Sequence, residues 1–317
     1  MEIGVCLPTF PFGASPTRER ILEVARAAEE MGYDSVWASD HLLPPANRPR
    51  YGTLFECLTT LAYVAGQTRR VRLGTSVLVL PLRHAVEVAK QVATLDALSG
   101  GRVILGVGAG WIPEEFAALG ADFRHRGRHL DEAIRVLRLL WSEPRPSFAG
   151  TFYQFRDVLF GPLPVQPGGP PIWVGGYTDA ALRRAARLGD AWHGDDVAGA
   201  QLASMVARLR VLAAREGRTV GVTLRRTVDL RPLLAAERLA SAGVQDGRFP
   251  TPTAGALTGS ADEVAAGVRE ALRAGVDHFI CQFEHATSDE HLASMRVFQQ
   301  EIVDRIRSET IQEGGRR

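Results

Sequence analysis

Residues 171–194 read PIWVGGYTDAALRRAARLGDAWHG. An apolar run over 171–176 stops at paired glycines. A helical run follows over 178–188, and residues 190–194 open a second short apolar run. The pattern predicts strand, helix, strand, and a helical crossover is the economical way to join two parallel strands.

The same alternation extends outward in both directions. Apolar strands are predicted at 3–8, 35–39, 71–80, 102–108, 171–176, 190–194, 220–230 and 277–283. Helices are predicted at 17–31, 53–67, 84–98, 126–142, 178–188, 199–215, 261–274 and 288–307. In the first helix Ile21, Val24, Ala25, Ala28 and Met31 recur at helical spacing, and Gly32 stops it. Three stretches break the pattern. Residues 109–125 read as irregular. Residues 147–166, SFAGTFYQFRDVLFGPLPVQ, are aromatic and turn-rich and read as an insertion. Residues 231–259 are helix-poor. Eight alternating units predict a closed (β/α)8 TIM barrel in the α/β class, one domain over 1–317, with a flexible tail over about 308–317.

Composition agrees. The chain has 317 residues, 45% of them hydrophobic, which is enough for a barrel core. A net charge of +1 provides no bulk field for nucleic acid or an anionic membrane. Three dispersed cysteines, Cys6, Cys57 and Cys281, suggest neither a zinc knuckle nor a disulfide framework. No apolar run reaches membrane-spanning length, and the expectation is a soluble, cytoplasmic protein.

A barrel of this kind carries its site at the C-terminal ends of the strands. Asp40-His41 closes the second strand and is the candidate catalytic pair, because an imidazole titrates near neutral pH. His193 ends the sixth strand. Gly175-Gly176-Tyr177-Thr178 ends the fifth strand and opens a helix, as a phosphate site would; the same residues also fit a tight turn capped by Thr178. Gly108-Ala109-Gly110, within GVGAG, reads as bare backbone for a flat ring or as close packing. The third glycine of a dinucleotide fingerprint falls on Trp111, which argues against a Rossmann domain. His125 and His129 lack the setting of a zinc helix, and no metal is expected. Phe10, Phe12, Tyr51, Phe55 and Trp111 are candidate walls of a small-molecule pocket, with proline-rich 42–52 as a lid.

GYDSVWASDHLL, VRLGTSVLVLP, ATLDALSGGRVILGVGAGW, PPIWVGGYTDAALRRAARLGDAWH and AGVDHF occur in this order. Together they resemble the luciferase-like monooxygenase superfamily, and in detail its branch of coenzyme F420 (deazaflavin)-dependent oxidoreductases. The resemblance implies hydride transfer to or from a small organic substrate, with Asp40 and His41 beside the reactive edge of the cofactor. It also implies a phosphate site at 175–178, and a homodimer. A non-prolyl cis peptide is implied between Ser76 and Val77, supporting the cofactor ring. FMN with oxygen, served by a separate reductase, is the alternative; a non-catalytic flavin-binding protein is a third reading.

Overall fold

The computed structural model describes residues 1–11, 15–231, 233–234, 256–285 and 287–314. The barrel strands are β1 (Glu2–Cys6), β2 (Ser35–Ala38), β3 (Arg72–Thr75) continued by β4 (Leu78–Val79), β5 (Val103–Gly108), β8 (Ile172–Gly175), β9 (Ala191–Asp195), β10 (Gly221–Asp229) and β12 (His278–Phe283). All pair in parallel, and the β9–β10 and β12–β1 ladders close the ring. The predicted insertion holds a small antiparallel hairpin, β6 (Phe148–Ala149) with β7 (Gln154–Phe155). Two-residue β11 (Leu257–Thr258) adds to the outer end of β10. Most of the expected stretch 231–259 lies outside the described residues.

The crossover helices are α1 (Arg18–Glu30), α2 (Cys57–Ala65), α3 (Ala85–Ser99), α5 (Arg126–Ser142), α6 (Asp179–Leu188), α7 (Gly199–Arg215), α8 (Ala261–Ala274) and α9 (Ser288–Val297). Their starts follow local chemistry. Thr17, Glu56, Thr178 and Thr287 accept backbone N–H groups of the first turn, and Ser260 with Glu263 forms a capping box. A π-turn at Phe298–Val303 joins α9 to α10 (Asp304–Gly314), so helix runs into the stretch expected as a tail. The region 109–125 is not wholly irregular: α4 (Pro113–Ala118) begins on a proline at its first turn.

The helices' inner faces and the outer faces of the strands form the main core. A second cluster, Cys6, Trp37, Ile104, Trp173, Ala191 and Ile280, fills the lumen. Trp37 stacks on Trp173 with ring centres 4.8 Å apart. A Cβ on Gly74 would lie 2.2 Å from the Trp37 ring, so β3 carries glycine there to admit the indole.

Strand three was expected as one run, 71–80. It is interrupted between β3 and β4, and the Ser76–Val77 peptide is cis, as the resemblance implied.

Candidate active site

β2 delivers Ser39, Asp40 and His41 to the barrel mouth. His41 does not lean on Asp40. Its Nδ1 lies 2.9 Å from Oε2 of Glu115, in the first turn of α4. The other oxygen, Oε1, accepts the N–H groups of Leu42 and Leu43 at 2.6 and 3.0 Å. Glu115 is 1% exposed. Burial pushes its carboxyl up, but the His41 hydrogen bond and the two backbone N–H groups outweigh this and hold it below the ordinary range. An ionised carboxylate can only accept, so Nδ1 carries a proton, and in the neutral imidazole Nε2 is the acceptor. Among the described residues Nε2 has no hydrogen-bond partner.

Asp40 is engaged elsewhere. Arg83 grips it with two hydrogen bonds of 2.7 and 2.8 Å, and the Val79 N–H adds a third at 2.8 Å. Arg83 also reaches Glu56 at 3.1 Å. The carboxylate therefore ties the end of β2 to β4 and to the start of α2, and the carboxylate that bonds the imidazole is Glu115. Asp40, Glu56 and Cys57 are the one ligand-type cluster found among the described residues, and the Arg83 guanidinium is bonded to both of its carboxylates.

Residues 42–52 fold over the mouth. The Tyr51 ring centre lies 4.5 Å from that of His41, and Trp111 lies 6.0 Å from His41 and 6.1 Å from Tyr51. Phe10 packs on Tyr51 at 6.2 Å. Arg48 sits over Trp111, and Arg50 bonds Glu284 beyond β12. Three predicted walls, Phe10, Tyr51 and Trp111, and the imidazole thus converge. Phe12 lies outside the described residues. Phe55 does not join them: it lines a groove with Ile21 and Tyr63 between α1 and α2.

The glycines of β5 serve the protein's own packing. A Cβ on Gly106 would meet the Thr75 carbonyl at 2.0 Å, and one on Gly108 would meet Val77 Cγ2 at 2.7 Å. Gly110, at φ +79°, lies against Val79 and Phe116. Gly175 likewise faces Val77. Gly108 and Gly110 make room for the Ser76–Val77 bulge and for α4, which is the close packing that GVGAG also suggested. Ala109 between them is half-buried.

His193 supports that bulge from inside the barrel. It is 2% exposed and stacks on Trp37. Thr223 donates its hydroxyl to the Trp192 carbonyl and so accepts from His193 Nδ1 at 2.9 Å; Nε2 then accepts from Ser76 Oγ at 2.9 Å. Burial, assisted by nearby Arg225, pushes its pKa down to about 3, so it is neutral. His193, expected at the cofactor, bonds Ser76 at the bulge and Thr223 on β10.

At the start of α6 the N–H groups of Tyr177 and Thr178 meet no acceptor among the described residues, while Gly176 adjoins the β8–β9 ladder at the Gly175–His193 pair. Gly176 has φ +132°, and its carbonyl accepts from Trp192 Nε1 at 2.9 Å. Two open donors at a helix N-terminus match a phosphate group. Half-exposed Tyr177 turns its hydroxyl to Asp195.

The model of the luciferase-like monooxygenase family matches residues 1–243. The chain belongs to that family. Its F420-dependent branch supplies close relatives. One is an F420-dependent glucose-6-phosphate dehydrogenase from Kineococcus radiotolerans, 36% identical over 239 residues, covering 74% of this chain and 68% of the relative. Another is an F420-dependent hydroxymycolic acid dehydrogenase from Mycobacterium tuberculosis, 34% identical over 244 residues, covering 75% and 65%. Among solved structures, monooxygenase RslO1 from Streptomyces bottropensis superposes with TM-score 0.79 at 25% identity, covering 96% of this chain and all of that one. An F420-dependent secondary alcohol dehydrogenase bearing an F420-acetone adduct superposes at 0.76 with 20% identity, over 95% and 98%, and shares the fold.

Within this luciferase-like mouth, sequence reasoning missed Glu115, Arg83, Asp195 and Arg225. Glu115 lies in a stretch read as irregular, so it had no helix face. Arg225 had a signal that went unused: a charge inside the apolar strand VGVTLRRTVDL.

Proposed function

We propose that the protein is an F420-dependent oxidoreductase that moves a hydride between the deazaflavin and a small organic substrate. The observation that carries this reading is the His41–Glu115 couple, which leaves Nε2 without a partner among the described residues, beside Tyr51 and Trp111 at the mouth of a family barrel. The open N–H groups of Tyr177 and Thr178 would hold the cofactor phosphate, and the Ser76–Val77 bulge would support its ring. When bound, the cofactor accepts or returns hydride at C5 of its ring.

His41 handles the proton. Nε2 takes it from a substrate hydroxyl as carbon loses hydride, and returns it in the reverse direction. Glu115 holds the imidazole in the required tautomer and balances its charge when it is protonated. Tyr51 and Trp111 exclude water from that proton. The aromatic wall suits a small organic alcohol or carbonyl compound.

Titration of the protein with F420 and separately with FMN, followed by tryptophan quenching, tests the reading. F420 is expected to saturate at far lower concentration. Preference for reduced FMN with oxygen consumption would instead indicate the monooxygenase chemistry. Tight F420 binding without turnover of any alcohol or carbonyl compound would indicate a carrier.

A further inference from the structure

Arg225 reaches across the barrel. It stands on β10, whose neighbours are β9 and β12, yet Nη1 lies 3.2 Å from the Ser76 carbonyl and 3.4 Å from Ser39 Oγ, at the ends of β3 and β2. Asp195 on adjacent β9 takes the other edge, with Nε–Oδ1 and Nη2–Oδ2 both 2.6 Å. The carboxylate therefore stands at the wall, and the remaining edge of the cation points over the lumen. The side chain is 16% exposed, so part of it faces the mouth. Proton transfer at His41 leaves this guanidinium unused. Structural stability alone is a poor reason for it, since burying an ion pair is close to break-even against apolar packing.

We infer that Arg225 is the cation that faces the electron-rich end of the cofactor ring and makes the protein favour the reduced over the oxidised deazaflavin. This rests on the F420 reading above. A hydride brings two electrons and one proton into the ring, so the ring gains one negative charge. That charge is pushed away from the carbon that receives the hydride, into the ring's carbonyl-bearing end. A fixed guanidinium in a half-dry mouth stabilises it by Coulomb attraction and hydrogen bonding. Asp195 sets how much of the field remains.

The test uses two variants of the whole protein. Arg225→Met/Asp195→Asn removes both charges and leaves no buried ion unpaired. Asp195→Asn alone leaves the cation unbalanced. Dissociation constants for oxidised and for chemically reduced F420 are measured by tryptophan quenching, and the midpoint potential of the bound cofactor by absorbance. The ratio of oxidised to reduced dissociation constant is expected to fall about tenfold in the double variant, the size of one hydrogen bond to a charge. Its midpoint potential then falls by about 30 mV, the two-electron equivalent of tenfold. In Asp195→Asn both quantities move the opposite way. A purely structural pair would shift the two variants in the same direction or leave the ratio unchanged, and either result overturns the inference. Each variant reads the sign alone, should the other fail to fold. Wild-type protein that binds no F420 would overturn the F420 reading itself, and this inference with it.

Discussion

Glu115 approaches His41 from 74 residues further along the chain, with its Oε2 at 2.9 Å from Nδ1. One carboxylate fixes the imidazole and, through the N–H groups of Leu42 and Leu43, pins the first residues of the lid. Proton chemistry and closure of the mouth therefore share a single group.

Glu115→Gln should uncouple these functions. The amide oxygen can still accept the Leu42 and Leu43 N–H groups, but its NH₂ now faces Nδ1. The imidazole then carries its proton on Nε2 and loses its base. Turnover in the direction that removes a substrate proton should fall by about 10²–10³-fold. Steady-state kinetics with matched melting curves check this. Intact turnover in the folded variant would rule out Glu115 as the tautomer-setting group. Its carboxyl is held below its ordinary value of 4.5, so its contribution to stability is complete above about pH 4.5 and is lost as pH falls through the lower folded value.

Asp40 and His41, neighbours in sequence, should fail in different ways. Asp40→Asn leaves Arg83 with Glu56 as its remaining carboxylate and replaces a charged two-bond clamp by a neutral one, so stability should fall by about 1.5–3 kcal/mol. His41→Ala should leave the melting temperature nearly unchanged while turnover falls by about 10²–10⁴-fold. Denaturant melts and kinetics on the two variants separate the roles. An Asp40→Asn protein as stable as wild type would contradict the Arg83 clamp.

Gly106→Ala distinguishes packing from ring binding. The new Cβ would sit 2.0 Å from the Thr75 carbonyl, a backbone atom that cannot step aside. Destabilisation of about 3 kcal/mol or more is expected, at the upper end of overpacking effects. A variant with a wild-type melting curve and only weaker F420 binding would restore the ring-facing reading of this glycine run.

Three buried histidines set an acid limit on stability. Burial is the main cause in each, lowering His193 and His291 to about 3 and His285 to about 4. Among the described residues His285 Nδ1 and both His291 nitrogens have no hydrogen-bond partner. Between pH 6.5 and these values the unfolded chain binds more protons, so stability is complete above about pH 6.5 and falls as pH drops. Three such groups give a slope of at most about 4 kcal/mol per pH unit near pH 5. Urea melts from pH 7 to 5 should show the loss, and His291→Phe should flatten it by about a third. A stability flat across that range would mean that these rings are already charged.

The sequence by itself determined the barrel. Its eight units are written in local signals: apolar runs of strand length, helical spacing, and caps such as Thr178 and Ser260. It also placed His41, Tyr51, Trp111 and the 175–178 turn at one end, because a parallel barrel turns every strand's C-terminus the same way. Only the tertiary structure decided which side chains touch. Asp40 turns to Arg83, and Glu115 turns to His41, because ring closure brings α4 over the end of β2. Gly106 and Gly108 face Val77, because β3 breaks beside β5. Arg225 spans the lumen, because β10 stands across from β2 and β3. Such partnerships depend on distances across a closed ring, and a one-dimensional pattern holds no record of them.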